Sequence, residues 1–345
     1  MNTLRIQGQT GPSDIVVGEH VENLARYLPS DRRPIIVTDD NLLRLHGHRF
    51  PSADVIRIGT GEKVKTLESV SHIYRELIRL EVDRFDFIIA IGGGLVCDVA
   101  GFAASTYMRG VPYGFVATSL LAQVDASVGG KNGVNFNGYK NMVGVFNQPR
   151  FVICDLSLLE TLPPGEIANG LAEIVKHAAI YDRDYFETIE SNVTLIECLD
   201  PAFMEPLIHR SVVIKSEVVN RDEKETGERR KLNFGHTFGH AIEKCTNLAH
   251  GEAVSIGMRI AGHFSKQMVG LAQDDLERLE TLLQRLGLPL EVPVAPDALL
   301  EALGKDKKRQ GDTLHFICLE ALGQSVVTPV GLSTLATFLS SEFVG

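Results

Sequence analysis

Three histidines fall within fifteen residues of this chain: His236, His240 and His250, in the stretches LNFGHTFGH (232–240) and HGE (250–252). His236 and His240 are four apart, so on a helix they share one face, one turn apart. Neutral imidazole is a common zinc ligand, and a catalytic zinc site takes three protein ligands and keeps one position open. A glutamate can serve as a third ligand, and Glu173 in GLAEIVK (170–176) is a candidate. The competing reading of the pair is capping or core histidines, because buried polar groups are mostly just hydrogen-bonded. The other histidines (His20, His46, His48, His72, His177, His209 and His263) show no ligand spacing and read as surface or core residues.

A second chemical feature is the run Gly92-Gly93-Gly94, which follows the apolar stretch 85–91 and opens a helical one. Glycine lets backbone N–H groups approach a phosphate, and a helix N-terminus favours negative charge. The run departs from G-x-G-x-x-G, so alone it is equally a tight strand-to-helix turn. Two further polar loops, Gly61–Lys65 and Thr118-Ser119, are expected at the same sheet edge, which favours a dinucleotide. Charged and amide residues also punctuate apolar segments: Asp125, Lys131, Lys140, Asn141, Lys176, Lys215, Glu225, Arg229 and Asn233. Cations at this density suit a small substrate carrying a phosphate and a carboxylate. For any one of them, a solvated surface position is the alternative.

Composition narrows the classes. The 345 residues are 44% hydrophobic and 23% charged, with a formal net charge of −10. That balance disfavours nucleic acid and anionic membranes, which call for a basic face. The start of the chain, Met1 to Arg5, lacks the apolar run of a signal peptide, and no stretch approaches a membrane span. The five cysteines (Cys97, Cys154, Cys198, Cys245 and Cys318) are scattered and odd in number. They form no C-x-x-C pair, which argues against disulfides and thiolate zinc and fits a reducing cytoplasm.

The elements that must position these residues change along the chain. In the first half, strand-like runs (34–39, 85–91, 113–117, 151–154) alternate with helical patterns at 66–80 and 97–108. Alternation of this kind predicts a mostly parallel sheet flanked by helices. The second half shows three- and four-residue apolar spacing over 165–222, 232–246, 250–270 and 275–287, with a late β-hairpin at 313–331. The expected fold is an N-terminal α/β domain over 1–162, then a mainly α-helical domain over 163–345.

Taken together these segments resemble the 3-dehydroquinate synthase family of sugar-phosphate cyclases, from about Gly61 to Gly323. The blocks that carry the likeness are GGGLVCDVAGFAASTYMRG (92–110), LLAQVDASVGGK (120–131), KNMVG (140–144), GLAEIVK (170–176), LNFGHTFGHAIE (232–243) and HGEAVSIGM (250–258). The resemblance implies that the α/β domain is Rossmann-like and the helical domain binds metal and substrate, with bound NAD+ and a divalent metal, Zn2+ or Co2+, on ligands Glu173, His236 and His250. His240 then becomes a phosphate-pocket or proton-handling residue. NAD+ contacts are implied at Asp39, Glu62, Lys65, Gly94, Leu95, Val96, Cys97, Asp98, Thr118, Ser119, Lys131, Lys140, Leu158 and Thr161. Substrate contacts are implied at Asp125, Lys131, Asn141, Lys176, Lys215, Glu225, Arg229, Asn233 and His240. Arg109 is implied to reach the phosphate site of the other subunit of a homodimer. The implied substrate is a sugar-phosphate keto acid. The implied reaction is the first carbocycle-forming step of aromatic amino-acid biosynthesis, a phosphate-losing lyase reaction. It runs through transient NAD-dependent oxidation, phosphate elimination, reduction, ring opening and aldol closure.

Three departures from the family pattern carry expectations of their own. Cys97 stands where glycine is usual beside the pyrophosphate, where its side chain would crowd or reorient the loop. The spacing from His240 to His250 is shorter than usual. His315 stands where many members have lysine or arginine, which makes the pocket less cationic, since unperturbed histidine titrates near ~6.5. The alternatives are another sugar-phosphate cyclase, whose substrate lacks a carboxylate, an iron-type alcohol or glycerol dehydrogenase, and a non-catalytic NAD-binding protein. Lys215 and Arg229 favour a carboxylate-bearing substrate.

Overall fold

The computed structural model of the chain describes residues 2–304 and 313–342. In chain order the strands are β1 (Asn2–Gly8), β2 (Gly11–Val17), β3 (Pro34–Asp39), β4 (Asp54–Ile58), β5 (Phe87–Gly92), β6 (Tyr113–Ala117), β7 (Lys131–Phe136), β8 (Tyr139–Phe146), β9 (Phe151–Cys154), β10 (Thr313–Ala321) and β11 (Gln324–Gly331). The α-helices are α1 (Asp40–His46), α2 (Leu67–Arg79), α3 (Gly94–Thr106), α4 (Pro164–Tyr181), α5 (Arg183–Ser191), α6 (Val193–Glu197), α7 (Pro201–Arg221), α8 (His236–Cys245), α9 (His250–Val269), α10 (Gln273–Arg285), α11 (Pro296–Gly304) and α12 (Leu332–Glu342). Contacts divide the chain into two compact units: Met1–Leu162 with Pro201–Lys224, and Pro163–Asp200 with Glu225–Gly345.

In the first unit a seven-stranded sheet runs β1-β2-β9-β6-β5-β3-β4. All neighbours are parallel except β1, which pairs antiparallel with β2. Strands β5, β6 and β9 are buried at every position, the pattern of strands covered on both faces. Edge strand β4 instead alternates buried Ile56 and Ile58 with exposed neighbours. After β4 the chain returns across β3 to lay down β5, so the direction of sheet growth reverses between β3 and β5. In open α/β sheets, ligands bind outside the strand C-termini at such a reversal. The two strand ends there are Asp39 and Gly92.

Helix α7 belongs to this first unit, whereas 163–345 was expected as one domain. The reason is the outer edge of β1. Gln7 N–H donates to Asn220 Oδ1 at 2.8 Å, and Gln9 N–H donates to Glu223 Oε2 at 2.9 Å. The end of α7 and the residues after it thus pair backbone groups that an edge strand leaves open. Also absent from the sequence reading is the β7–β8 hairpin. It closes on the two-residue turn Asn137-Gly138, both at positive φ, the geometry that matches strand twist.

The second unit is built on α9, which is buried along most of its length and packs against α4, α8, α10 and β10. The expected late hairpin is present as β10–β11, turning at Leu322-Gly323. No described helix is long and apolar enough to cross a membrane.

Candidate active site

Glu173 lies in the middle of α4 and is fully buried. His236 and His250 are the first residues of α8 and α9. Close helix contacts bring these three positions together. A Cβ on Gly251 would lie 2.4 Å from Asn169 Cα on α4, and one on Gly257 would lie 2.0 Å from the Gly235 carbonyl. Only glycine allows these approaches. Gly251 N–H also donates to Asn169 Oδ1 at 2.8 Å, fixing the start of α9 on α4.

The result is a donor set. His236 Nε2 and His250 Nε2 each lie 3.4 Å from Glu173 Oε1, and the three donor atoms fall within 4.8 Å of one another. The other ring nitrogens are occupied: His236 Nδ1 pairs with the Phe234 carbonyl at 3.1 Å and His250 Nδ1 with Glu243 Oε1 at 3.1 Å. Such outer partners fix ring orientation and leave Nε2 as the nitrogen available to a metal. One buried carboxylate and two oriented imidazoles fit a divalent ion of the zinc type with room for a substrate oxygen. Burial pushes the His236 imidazole well below its usual pKa, against the pull of Glu173. Burial also depresses His250, but its bonds to Glu173 and Glu243 outweigh this and raise it to about 9.

Lys176 sits one turn along α4, buried, with its Nζ ion-paired to Glu173 Oε2. Its charge helps depress His236. His240 lies on the next turn of α8, its ring 5.3 Å from that of His236 and 6.5 Å from that of His250. The donor set is therefore completed by His250 rather than by the i,i+4 partner. The turn before α8 carries Arg229, which is 2% exposed. Asn233 Nδ2 donates to Glu225 Oε1 at 2.5 Å, and Glu225 is left-handed at φ 59°. His315 lies on β10, half-buried, paired across the hairpin with Pro329.

In the first unit the proposed NAD+ contacts collect mainly at the C-terminal edge of the parallel strands. Asp39 ends β3 and caps α1 through Leu42 N–H at 2.8 Å. Helix α3 starts at Gly94 with no side-chain cap at Gly93, so its first N–H groups suit an external anion. Cys97 does not crowd that turn. Its side chain is fully buried and its thiol faces the Gly92 carbonyl at 3.7 Å. Burial raises the thiol pKa well above the usual value, so it stays protonated and inert. Leu95 and Val96 complete the first turn. Asp98 pairs with the buried Lys65 at 2.5 Å. Burial raises its carboxyl pKa, and Lys65 opposes that.

Thr118 N–H donates to the Gly92 carbonyl at 3.0 Å, tying the end of β6 to β5, and Ser119 follows. Leu158 is buried in the turn after β9, and Thr161 at its end meets the buried His46 Nε2 at 2.8 Å. Lys131, Lys140 and Asn141 lie exposed on the β7–β8 hairpin. The hairpin is tied to this edge by Asn135, whose N–H donates to the Lys65 carbonyl and whose Nδ2 donates to Glu62 Oε1 at 2.8 Å. Asp125 and Lys215 form a tight pair, with Nζ 2.6 Å from Oδ1. Arg109 is exposed and left-handed at φ 69°.

Family models fit this arrangement. The model described as 3-dehydroquinate synthase N-terminal matches residues 55–169, and the one described as 3-dehydroquinate synthase C-terminal matches 170–309. The chain belongs to the 3-dehydroquinate synthase family. A curated 3-dehydroquinate synthase from Halorhodospira halophila is 44% identical over 313 residues, covering 88% of each chain. Among solved structures, 2-epi-5-epi-valiolone synthase from Streptomyces hygroscopicus, with NAD+ and Zn2+ bound, superposes with TM-score 0.87 at 28% identity. That match covers 95% of this chain and 96% of the other. A 2-deoxy-scyllo-inosose synthase complexed with carbaglucose-6-phosphate, NAD+ and Co2+ gives TM-score 0.87 at 30% identity, covering 98% and 99%. The 3-dehydroquinate synthase reading of the sequence holds at the level of family and fold. Glu243 and Asn169 support the donor set of the second unit, and His46 supports Thr161 in the first; the sequence did not mark these roles, because each acts through a neighbour rather than through a motif.

Proposed function

We propose that the chain is a 3-dehydroquinate synthase, converting 3-deoxy-D-arabino-heptulosonate 7-phosphate to 3-dehydroquinate and inorganic phosphate. The carrying observation is the Glu173, His236 and His250 donor set with buried Lys176 beside it, in a chain of that family. When bound, NAD+ would supply a transient hydride acceptor and Zn2+ or Co2+ a Lewis acid toward substrate hydroxyls.

The chain's own residues do the rest. The open first turn of α3, with Asp39, Glu62, Lys65 and Thr118, holds the dinucleotide. Lys176, Lys215 and Arg229 are each at most 5% exposed. Lys176 and Lys215 are already paired, with Glu173 and with Asp125, and cations fixed in this way suit the orientation of a substrate phosphate or carboxylate. Asp125, Lys131, Asn141, Glu225 and Asn233 add polar contacts, and His240 is placed to handle a proton or the phosphate. The leaving phosphate serves as its own base in the elimination. Breaking the C–O bond to phosphate makes the net reaction a lyase reaction. We further assign the chain to the cytoplasm as a homodimer, with Arg109 reaching the partner's phosphate site.

Carbaglucose-6-phosphate, bound by the inosose synthase, has no carboxylate. Buried Lys215 and Arg229 favour a carboxylate-bearing substrate here. The test is phosphate release from heptulosonate phosphate against sedoheptulose 7-phosphate and glucose 6-phosphate, with NAD+ and zinc. Release from the first alone is expected. Release only from a neutral sugar phosphate would move the chain to another cyclase activity. Steady accumulation of NADH would make it a dehydrogenase.

A further inference from the structure

The turn that carries Asp125 is wound wider than an α-helix. Ala122–Ala126 forms a π-turn, and Ser127 N–H reaches back five residues to the Ala122 carbonyl at 3.2 Å. Ser127 Oγ donates to the same carbonyl at 2.7 Å. Such widenings are uncommon and concentrate at functional sites. They persist only where neighbours hold them.

Here the holder is Gln123, which is fully buried. Its Nε2 donates to the Ala117 carbonyl at 3.1 Å and to the Asp155 carbonyl at 2.9 Å. These carbonyls end β6 and follow β9, so one amide pins the turn to two strand ends. Two carbonyl partners also fix which end of the amide is nitrogen. Its Oε1 is buried without a hydrogen-bond partner. Leaving an acceptor unsatisfied is costly, so a space-filling role would be better met by an apolar side chain. The outcome of the wide turn is seen at Asp125: both its carbonyl, at 2.5 Å, and its Oδ1, at 2.6 Å, meet Lys215 Nζ.

We propose that Gln123, helped by Ser127, is a positioning residue that holds the π-turn so that Asp125 grips and aims Lys215. The inference rests on the reading above that Asp125 and Lys215 contact the substrate. Gln123→Met keeps the volume and removes both donors, and two readouts test it.

The first needs no turnover: the rate at which an amine-directed acylating reagent labels Lys215, followed by mass spectrometry of the full chain. Labelling should accelerate about 10-fold in Q123M, the scale of coupling within one hydrogen-bond network. The second is the loss of phosphate-release kcat/KM on Lys215→Met, measured in both backgrounds. That loss should shrink about 10-fold in Q123M if the two residues act as one unit, while NAD+ affinity stays put. Equal losses in both backgrounds, or unchanged labelling, would overturn the proposal. Should wild-type protein release no phosphate, the substrate reading fails, and the labelling rate still decides the positioning claim. If Q123M does not fold, Ser127→Ala carries the same two readouts with a smaller expected gain.

Discussion

Among the described residues, one cluster within the first unit and one within the second each gather histidine and carboxylate donors within 4.8 Å, and of this pair the second has the form of a metal site. In the first unit, His20, Glu22 and Asp155 meet in this way. In the second, Glu173, His236 and His250 do. At the first cluster Arg49 already stands between the carboxylates, with Nε 2.5 Å from Glu22 Oε1 and Nη2 3.1 Å from Asp155 Oδ2. Asp155 also accepts from Val21 N–H and from Ser157. A guanidinium supplies the positive charge there, and a dication would have to displace it. At the second cluster both imidazoles are held by Nδ1 and turn Nε2 toward one oxygen. Each cluster has a cation on a carboxylate, Arg49 at the first and Lys176 on Glu173 Oε2 at the second; what differs is that at the second two imidazoles, held through Nδ1, converge on the remaining oxygen, Glu173 Oε1.

The comparison breaks most sharply on removal of a ligand. Glu173→Ala or His250→Ala should abolish stoichiometric zinc and lower turnover by more than about 100-fold, since losing a ligand exceeds the cost of losing an outer partner. His20→Ala should leave metal content at about one ion per chain, as for a single three-ligand site. Metal analysis of the purified variants checks both, and equal loss in the two would erase the distinction. Glu243→Gln should weaken zinc affinity by about 10- to 100-fold without displacing a ligand, read by competition with a chelator.

Proton linkage sharpens the contrast further. His250 in the metal-free protein is raised to about 9, so below that pH it carries a proton that a metal must expel. Apparent zinc affinity should therefore rise about tenfold per pH unit up to that value and then level off. Calorimetry in buffers of differing ionisation enthalpy should show about one proton released near neutral pH. Absence of release would mean that the imidazole is already neutral.

The smallest effects concern the glycine turn. A Cβ on Gly94 would lie 2.8 Å from Ala126 Cβ, so Gly94→Ala should weaken NAD+ binding by roughly 10-fold through overpacking. Cys97→Ala, acting on a side chain turned into the core, should leave NAD+ affinity within about twofold and cost stability instead. Equilibrium titration of cofactor fluorescence distinguishes them.

Much of this was legible in the residues. The apolar run ending in Gly92-Gly93-Gly94 and the helical spacing around His236 and His250 announced the parallel sheet and the helical part of the fold. The choice of His250 over His240 as ligand came from family resemblance, because four-residue spacing alone favours the pair on one helix. Cys97 shows the limit of reading by position. Whether a side chain at a phosphate turn points at the ligand or at the sheet depends on helix rotation, which the sequence does not state. Helix α7 reads as one more amphipathic segment, and its allegiance to β1 depends on Asn220 and Glu223 reaching a distant strand edge. The π-turn at Ala122–Ala126 is invisible to periodicity, because it adds only one residue to a single helical turn.

On the proposed function, zinc and NAD+ serve one reaction in which the cofactor ends as it began. The most direct test supplies metal-depleted protein with heptulosonate phosphate and catalytic NAD+, then adds zinc. Phosphate should appear in step with substrate loss, far beyond the NAD+ present, while NADH absorbance returns to its starting level. Phosphate formation that stops at one equivalent of NAD+, or proceeds at the same rate before zinc is added, would contradict the account.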